Sequence, residues 1–264
     1  MITLTGIYYY PIKSCRGYAL ETAALDARGL EHDRRFLIVD ANNHFVTQRE
    51  HTRLALIEPQ ISNSTLTLTA PGMSALIVET QVSNTRRPVK IWRDTVEALD
   101  QGDEAAQWLS EYLGEAVRLV KFDEAVVRKV SAEYARRPTD QTGFADGYPL
   151  LLISQESLDD LNARLATPLP MNRFRPNLVV SGGTPYAEDT WKQIRIGEVI
   201  LDIVKPCARC VTTTTDQATA VRGKEPLATL AQYRNSERGA LFGQNVIHAG
   251  PGTLTVGQAV EILN

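Results

Sequence analysis

The residues with the clearest chemical potential are Cys207 and Cys210, spaced as Cys207-Ala-Arg-Cys210. They follow a strand-forming run, Val199 to Val204, and then Lys205-Pro206. The sequence therefore places both thiols at a strand exit, beside the cations Lys205 and Arg209. Cationic surroundings favour thiolate, which is both a nucleophile and a soft metal ligand. The spacing alone leaves open a dithiol redox pair, half of a zinc site, or two incidental buried cysteines. A closed zinc site needs four ligands, but there is no second C-x-x-C, and His32, His44, His51 and His248 lie far apart. A thioredoxin-like pair would open a helix, whereas Val211-Thr-Thr-Thr-Thr215 is β-branched and a poor helix start.

Further segments concentrate groups that grip anions: Tyr10-Pro-Ile-Lys-Ser14, Asp33-Arg34-Arg35 and Arg173-Phe-Arg-Pro-Asn177. Arginine and lysine beside serine and asparagine can hold a phosphate through charge-assisted hydrogen bonds. Taken singly, each also reads as a surface ion pair. The cluster Arg128, Lys129, Arg136 and Arg137 reads as a solvated face. A net charge of -3 argues against a general nucleic-acid binder, so any anionic ligand needs a local basic pocket. Neither G-x-G-x-x-G nor a Walker phosphate loop is present, which disfavours nucleotide-binding folds.

The elements that must position these residues are mostly short strands. Phe36 to Val39 and His44 to Thr47 flank Ala41-Asn-Asn43 as a hairpin; Leu54 to Gln60 and Thr65 to Thr69 flank Ser62-Asn-Ser64. Ala75 to Glu79, Val89 to Trp92, Val96 to Leu99 and Val117 to Phe122 complete a barrel-like or sandwich-like β lobe, with a helix from a cap at Asp103 to about Tyr112. The run from Asp123 to Gly147 is polar and aperiodic and reads as a connection. A strand Leu150 to Ile153 then leads to a helix capped by Ser154, with Leu158, Leu161 and Leu165 at helical spacing. Strands return at Leu178 to Val180, Gln193 to Ile196, Val199 to Val204, Asn245 to His248, and Leu254 to Leu263 broken at Gly257. Only Leu227 to Tyr233 reads as helical there. The predicted class is α+β and β-rich: an N-terminal β-barrel-like lobe over 1–122, then a β-barrel lobe with attached helices over 123–264.

Three cysteines, an odd and small number, speak against a disulfide framework. Met1-Ile-Thr-Leu-Thr-Gly6 lacks a basic region followed by an apolar run, and no stretch approaches the ~18 apolar residues of a membrane span. The expected location is cytoplasmic.

The ordered series Tyr10-Pro-Ile-Lys-Ser14, Asp33-Arg34, Phe174-Arg-Pro-Asn177, Tyr186-Ala-Glu-Asp189, Cys207-Ala-Arg-Cys210, Lys224-Glu-Pro226 and Phe242-Gly-Gln244 closely resembles MOSC-domain proteins that carry a MOSC N-terminal β-barrel domain. Within that family it resembles the mitochondrial amidoxime-reducing component and the bacterial MOSC reductases of N-hydroxylated compounds. The resemblance implies a molybdenum cofactor, molybdenum bound to molybdopterin, between the lobes, with Cys210 as the metal ligand and catalytic cysteine and Cys207 as a neighbour. It implies cofactor contacts from Lys13, Ser14, Arg34 and Arg175, assisted by Asn177, Asp146, Gly147, Tyr148, Ala208, Arg209 and Asn245. The relatives carry small hydroxyl residues at Gly147 and Tyr148 and a tyrosine at Asn245. It further implies reduction of an N-hydroxylated or N-oxide substrate, or alternatively a carrier that delivers the cofactor or its sulfur. Some relatives append a ferredoxin-like domain with four cysteine ligands; this sequence has no such cysteines, so the expected electron donor is a separate protein, ferredoxin-like, flavin reductase or cytochrome. Asp216 and Tyr148 are candidate proton donors, each with a structural role as the alternative.

Overall fold

Alternating burial along Thr65–Thr69 and Leu76–Glu79, one side chain inward and the next outward, is the period expected of half-buried strands. The computed structural model describes residues 1–80 and 85–263, and such strands dominate it. The fold is α+β and strand-rich. Among the described residues it has three α-helices, α1 (Asp103–Leu113), α2 (Gln155–Asn162) and α3 (Leu227–Tyr233).

In the first half, Phe36–Asp40, Val117–Phe122, Asp94–Asp100 and Arg86–Ile91 form a four-stranded sheet, and Glu58–Ser62, Thr65–Thr69 and Leu76–Glu79 a three-stranded one. Ile38, Leu66, Leu68 and Leu119 share a core with Trp108, Leu109 and Tyr112 of α1. The second half builds a nine-stranded sheet in which Val199–Ala208 lies between Gln193–Ile196 and Gly239–His248. The chain's first strand, Thr3–Tyr9, joins that sheet by pairing antiparallel with Leu178–Ser181. Thr22–Asp26 likewise pairs with Gly252–Thr255. This exchange brings Lys13 and Ser14, just beyond the first strand, up to Arg175 and Asn177, just before Leu178. α2 crosses between the parallel strands Leu150–Ser154 and Leu178–Ser181, and the Ser154 hydroxyl caps it by accepting the Ser157 amide at 3.2 Å.

Four local expectations are corrected. The span Leu54 to Gln60 is a 3-10 turn, Thr52–Leu56, followed by the strand Glu58–Ser62. Pro59 favours extended backbone at Glu58, while Leu54 and Ala55 turn into the core. Gly102, not Asp103, precedes α1, and Asp103 stands in its first turn. The second hairpin arm at His44 to Thr47 is reduced to isolated bridges, Val39 to Phe45 and His44 to Lys90. The strand expected to end at Val204 continues to Ala208, tolerating Pro206 because its pairing shifts between Ile203 and Lys205 and again between Pro206 and Ala208.

Candidate functional site

Because that strand runs on, Cys207 lies in its last turnless stretch and Cys210 immediately precedes a 3-10 turn, Val211–Thr214. The β-branched threonines form this turn by satisfying it themselves: Thr213 Oγ1 donates to the Cys210 carbonyl at 2.9 Å and Thr214 Oγ1 to the Val211 carbonyl at 2.8 Å. Cys207 and Cys210 open onto one cleft, whose lining includes Lys13, Ser14, Arg34, Arg175 and Asn177. Asp146, Gly147, Tyr148, Ala208, Arg209 and Asn245 complete the sequence-expected set around the same cleft. Asp216 is not among its lining residues; its carboxylate instead accepts the amides of Ala218 and Thr219 in a turn.

The two sulfurs have different partners. Arg209 Nη1 lies 3.0 Å from Cys207 Sγ, whereas Arg49 Nη2 lies 3.5 Å from Cys210 Sγ. Burial pushes the Cys210 thiol up, but the Thr212 hydroxyl and amide together with the Arg49 guanidinium outweigh it and leave the thiol below its ordinary value. Lys205, the neighbour that the sequence suggested, lies instead over the Tyr134 ring at 4.5 Å. Arg49 was not legible as its replacement, because it reaches Cys210 across 161 positions from a loop with no motif of its own.

The basic wall is built around Tyr10. Its ring packs against two guanidiniums, with Arg34 Cζ at 4.5 Å and Arg175 Cζ at 4.2 Å from the centroid. Arg34 Nη1 pairs with Asp33 at 2.5 Å and donates to Asn177 Oδ1 at 3.0 Å. Asn177 also spans its neighbours: its Nδ2 donates to the Tyr8 carbonyl at 3.1 Å and its Oδ1 accepts the Leu151 amide at 3.2 Å. Arg175 Nη1 makes a 3.4 Å contact with Gln217 Oε1; burial and the neighbouring Arg34 push its guanidinium down to about 10, against the opposing pull of Tyr10. Lys13 is buried and donates to the Phe144 carbonyl at 2.9 Å and to Asp146 Oδ1 at 2.5 Å. Asn245 Nδ2 donates to the Lys205 carbonyl at 3.2 Å, tying the strands on which Cys207 sits.

Two features mark this cleft as built for a ligand. Ser14, Arg34 and Arg175 all have left-handed backbone, with φ of +69°, +49° and +53°, a conformation that side chains disfavour and that concentrates at functional sites. Three of its lining arginines each have one buried guanidinium nitrogen, Arg173 Nε, Arg175 Nη2 and Arg209 Nε, with no hydrogen-bond partner among the described residues. An unsatisfied buried donor costs about 1–3 kcal/mol and more when charged, so an anion rich in acceptors is the natural complement. Among the described residues no three His, Cys, Asp or Glu side chains gather into a metal-holding group, so a metal on Cys210 would take its other ligands from outside the chain.

Residues 1–116 match the MOSC N-terminal beta barrel domain and residues 139–261 the MOSC domain. The chain is 37% identical to mitochondrial amidoxime-reducing component 1 of Homo sapiens, over 99% of this chain and 83% of that protein. The chain belongs to the MOSC family. A second MOSC relative, mitochondrial amidoxime reducing component 2 of Bos taurus, is 36% identical over 88% of this chain and 72% of its own length. Molybdenum cofactor sulfurase of Oryza sativa subsp. japonica is 33% identical over 92% of this MOSC chain, which spans 32% of the sulfurase. Among the described residues no helix of this MOSC protein is long and apolar enough to cross a membrane.

Arg128, read from sequence as part of a solvated face, is buried and holds the loop at the cleft's edge. Its Nη1 donates to the carbonyls of Gly143 at 2.9 Å and Ala145 at 2.6 Å, its Nη2 to that of Asp146 at 3.1 Å, and its Nε pairs with Asp94 at 2.8 Å. Truncation leaves three carbonyls and a carboxylate without their donor. Arg128→Ala is therefore expected to lower unfolding free energy by about 3–5 kcal/mol, read by denaturant titration. Arg128→Lys, which keeps the charge but not the fork, should fall between the two; an unchanged midpoint in the alanine variant would refute this role.

Proposed function

We propose that this MOSC protein binds molybdenum cofactor in the cleft beside Cys210 and reduces N-hydroxylated compounds with electrons from a separate donor protein. The observation that carries the reading is the convergence, on one cleft, of the Cys210 thiol and of three arginines, Arg173, Arg175 and Arg209, that each have one buried nitrogen without a hydrogen-bond partner among the described residues. The residues present fit the group: Arg173, Arg175 and Arg209 offer free donors to a phosphorylated, acceptor-rich pterin, and Lys13 with Ser14 lines the same wall. Cys210 supplies a soft thiolate suited to a metal that already has sulfur ligands. The similarity to amidoxime-reducing components supports the choice of substrate class.

When bound, the cofactor would supply a metal centre that exchanges electrons two at a time. The net reaction breaks the N–O bond, consumes two electrons from the donor and two protons, and releases the reduced nitrogen compound and water. Within the chain, Arg49 and Thr212 favour the thiolate of Cys210, lowering its thiol against the effect of burial. The Tyr10 ring packs against the Arg34 and Arg175 guanidiniums, and Asn177 Oδ1 accepts from Arg34. Arg128 positions the Asp146-Gly147-Tyr148 edge, and Tyr148 is the cleft's candidate proton donor.

The similarity to molybdenum cofactor sulfurase supports a second reading, a protein that carries the cofactor and passes it on. Protein purified from a host that makes the cofactor separates the two. Reduction of benzamidoxime to benzamidine with reduced viologen, over many cycles per bound molybdenum, is the outcome expected here. A loaded protein that turns over nothing, but activates an apo-molybdoenzyme by releasing cofactor, would establish the carrier instead.

A further inference from the structure

A second cleft, of about 610 Å³, shares the segment Asp146-Gly147-Tyr148 with the first. Its aromatic walls come from both halves of the chain: Phe45 and Trp92 from the first, Tyr134 and Tyr148 from the second. The Phe45 and Trp92 rings lie 5.0 Å apart, and the Tyr134 and Tyr148 rings 5.9 Å apart, edge to face. A Cβ at Gly147 would meet nothing within 4 Å, so the shared segment is open at that point.

Trp92 is the residue that the fold does not explain. It opens the two-residue turn between Arg86–Ile91 and Asp94–Asp100, where Ile91 pairs with Asp94, and its φ is +56°. Glycine is the usual occupant of such a position, and a bulky side chain there is strained. The indole is nonetheless 42% exposed, so burial does not compensate. It is held in place all the same: Nε1 donates to Asp146 Oδ1 at 3.0 Å, and the Arg49 guanidinium that contacts Cys210 lies 4.4 Å from the ring centroid. An exposed, fixed aromatic surface thus stands one side chain away from the thiol.

Three cations and three carboxylates line this cleft, and they differ in how they are paired. Arg93, Lys129 and Lys205 line it, and among the described residues none of them forms an ion pair. The carboxylates of the lining, in contrast, each have a partner outside it: Asp94 has Arg128, Asp146 has Lys13, and Glu133 has Arg238 at 4.0 Å. Aromatic walls with unpaired cations match a flat ring that carries an acid.

We infer that this second cleft is the substrate-recognition site, and that it selects planar aromatic N-hydroxylated compounds bearing a carboxylate or phosphate. The ring lies against Trp92 and Tyr148, the acid faces Arg93 and Lys129, and the N–O group extends past Gly147 toward Cys210. The inference rests on the reductase reading, and its test separates the two. The probes are 4-carboxybenzamidoxime and its uncharged 4-carbamoyl counterpart, with reduced viologen as electron source so that docking of a protein donor plays no part. Wild-type protein should favour the carboxylate in kcat/KM, through KM. In the Arg93→Ala/Lys129→Ala double variant that preference should fall about fivefold, the scale of an exposed charge pair. Trp92→Ala should raise KM for both compounds, and calorimetric titration of 4-carboxybenzamidoxime without electron donor should weaken in both variants. A wild type that reduces both compounds without preference, or a preference that the double variant keeps, overturns the assignment. Absence of turnover with carboxylate binding that still depends on Arg93 and Lys129 supports the cleft while removing the reductase reading.

Discussion

Cys210→Ala is expected to strip molybdenum and pterin from protein purified out of a cofactor-producing host, and to cut turnover of an N-hydroxylated substrate at least about a thousandfold. That is the scale on which losing a group at the reacting centre acts. Cys207→Ala should keep its metal and stay within about tenfold of wild type, because on the proposed reading Cys210 and not Cys207 is the ligand. The choice of Cys210 over Cys207 comes from the family resemblance, and the lowered Cys210 thiol is consistent with it. Cys210 faces Arg49 and Thr212, which bring its thiol below the ordinary range, and an ionised sulfur is what a metal takes. Cys207 faces Arg209, whose Nη2 is also committed to the Phe174 carbonyl at 2.6 Å. Metal analysis, together with fluorescence of the oxidised pterin, reads both variants without relying on activity. Full molybdenum content in Cys210→Ala, or its loss from Cys207→Ala alone, would reverse the assignment.

The parts of this fold that could be read from sequence are those in which local pattern and tertiary environment agree. Val117–Phe122, Thr65–Thr69 and Leu227–Tyr233 have the expected bounds because their hydrophobic spacing matches the surface on which they pack. Leu54 to Gln60 reads as one strand because an apolar run has no period that reveals a turn inside it. Val199–Ala208 extends past Pro206 because a partner strand, Gly239–His248, accommodates the proline through two register shifts. Neither partner nor shift is written locally.

The site divides along the same line. Lys13, Arg34, Arg175 and Cys210 came from an ordered set of motifs, and the structure gathers them around one cleft. Arg49, Arg128 and Trp92 carry no motif. Arg49 matters because of what it faces 161 positions away. Arg128 looked solvated because charge density along the chain cannot tell a surface arginine from one whose fork is filled by backbone carbonyls. Trp92 is conspicuous only once its turn is known to require left-handed backbone. The left-handed φ of Ser14, Arg34 and Arg175 was equally hidden, since none of them is a glycine.

Arg34 and Arg175 pack against the same ring and yet should respond to the same substitution with opposite signs. In cofactor-free protein, Arg175→Met is expected to raise unfolding free energy by about 1–3 kcal/mol, because it removes a buried charge whose Nη2 has no partner among the described residues and whose Nη1 makes a 3.4 Å contact with Gln217. The contact with Tyr10 that it forfeits is worth about 0.5–2 kcal/mol, and methionine recovers part of that by packing on the ring. Arg34→Met should instead cost about 3–5 kcal/mol, since it leaves the buried Asp33 carboxylate and Asn177 Oδ1 without their shared donor. In protein from a cofactor-producing host both variants should lose cofactor, so Arg175→Met becomes more stable as an empty protein and less able to fill. Denaturant titration of cofactor-free protein gives the first quantity and pterin content the second. If Arg175→Met destabilises as Arg34→Met does, its guanidinium belongs to the cohesion of the fold. If it stabilises while retaining cofactor, the unpaired donor serves some other ligand. Only the combination of a firmer empty protein and a poorer filled one identifies a charge that the fold keeps, at a cost to itself, for the anion it binds.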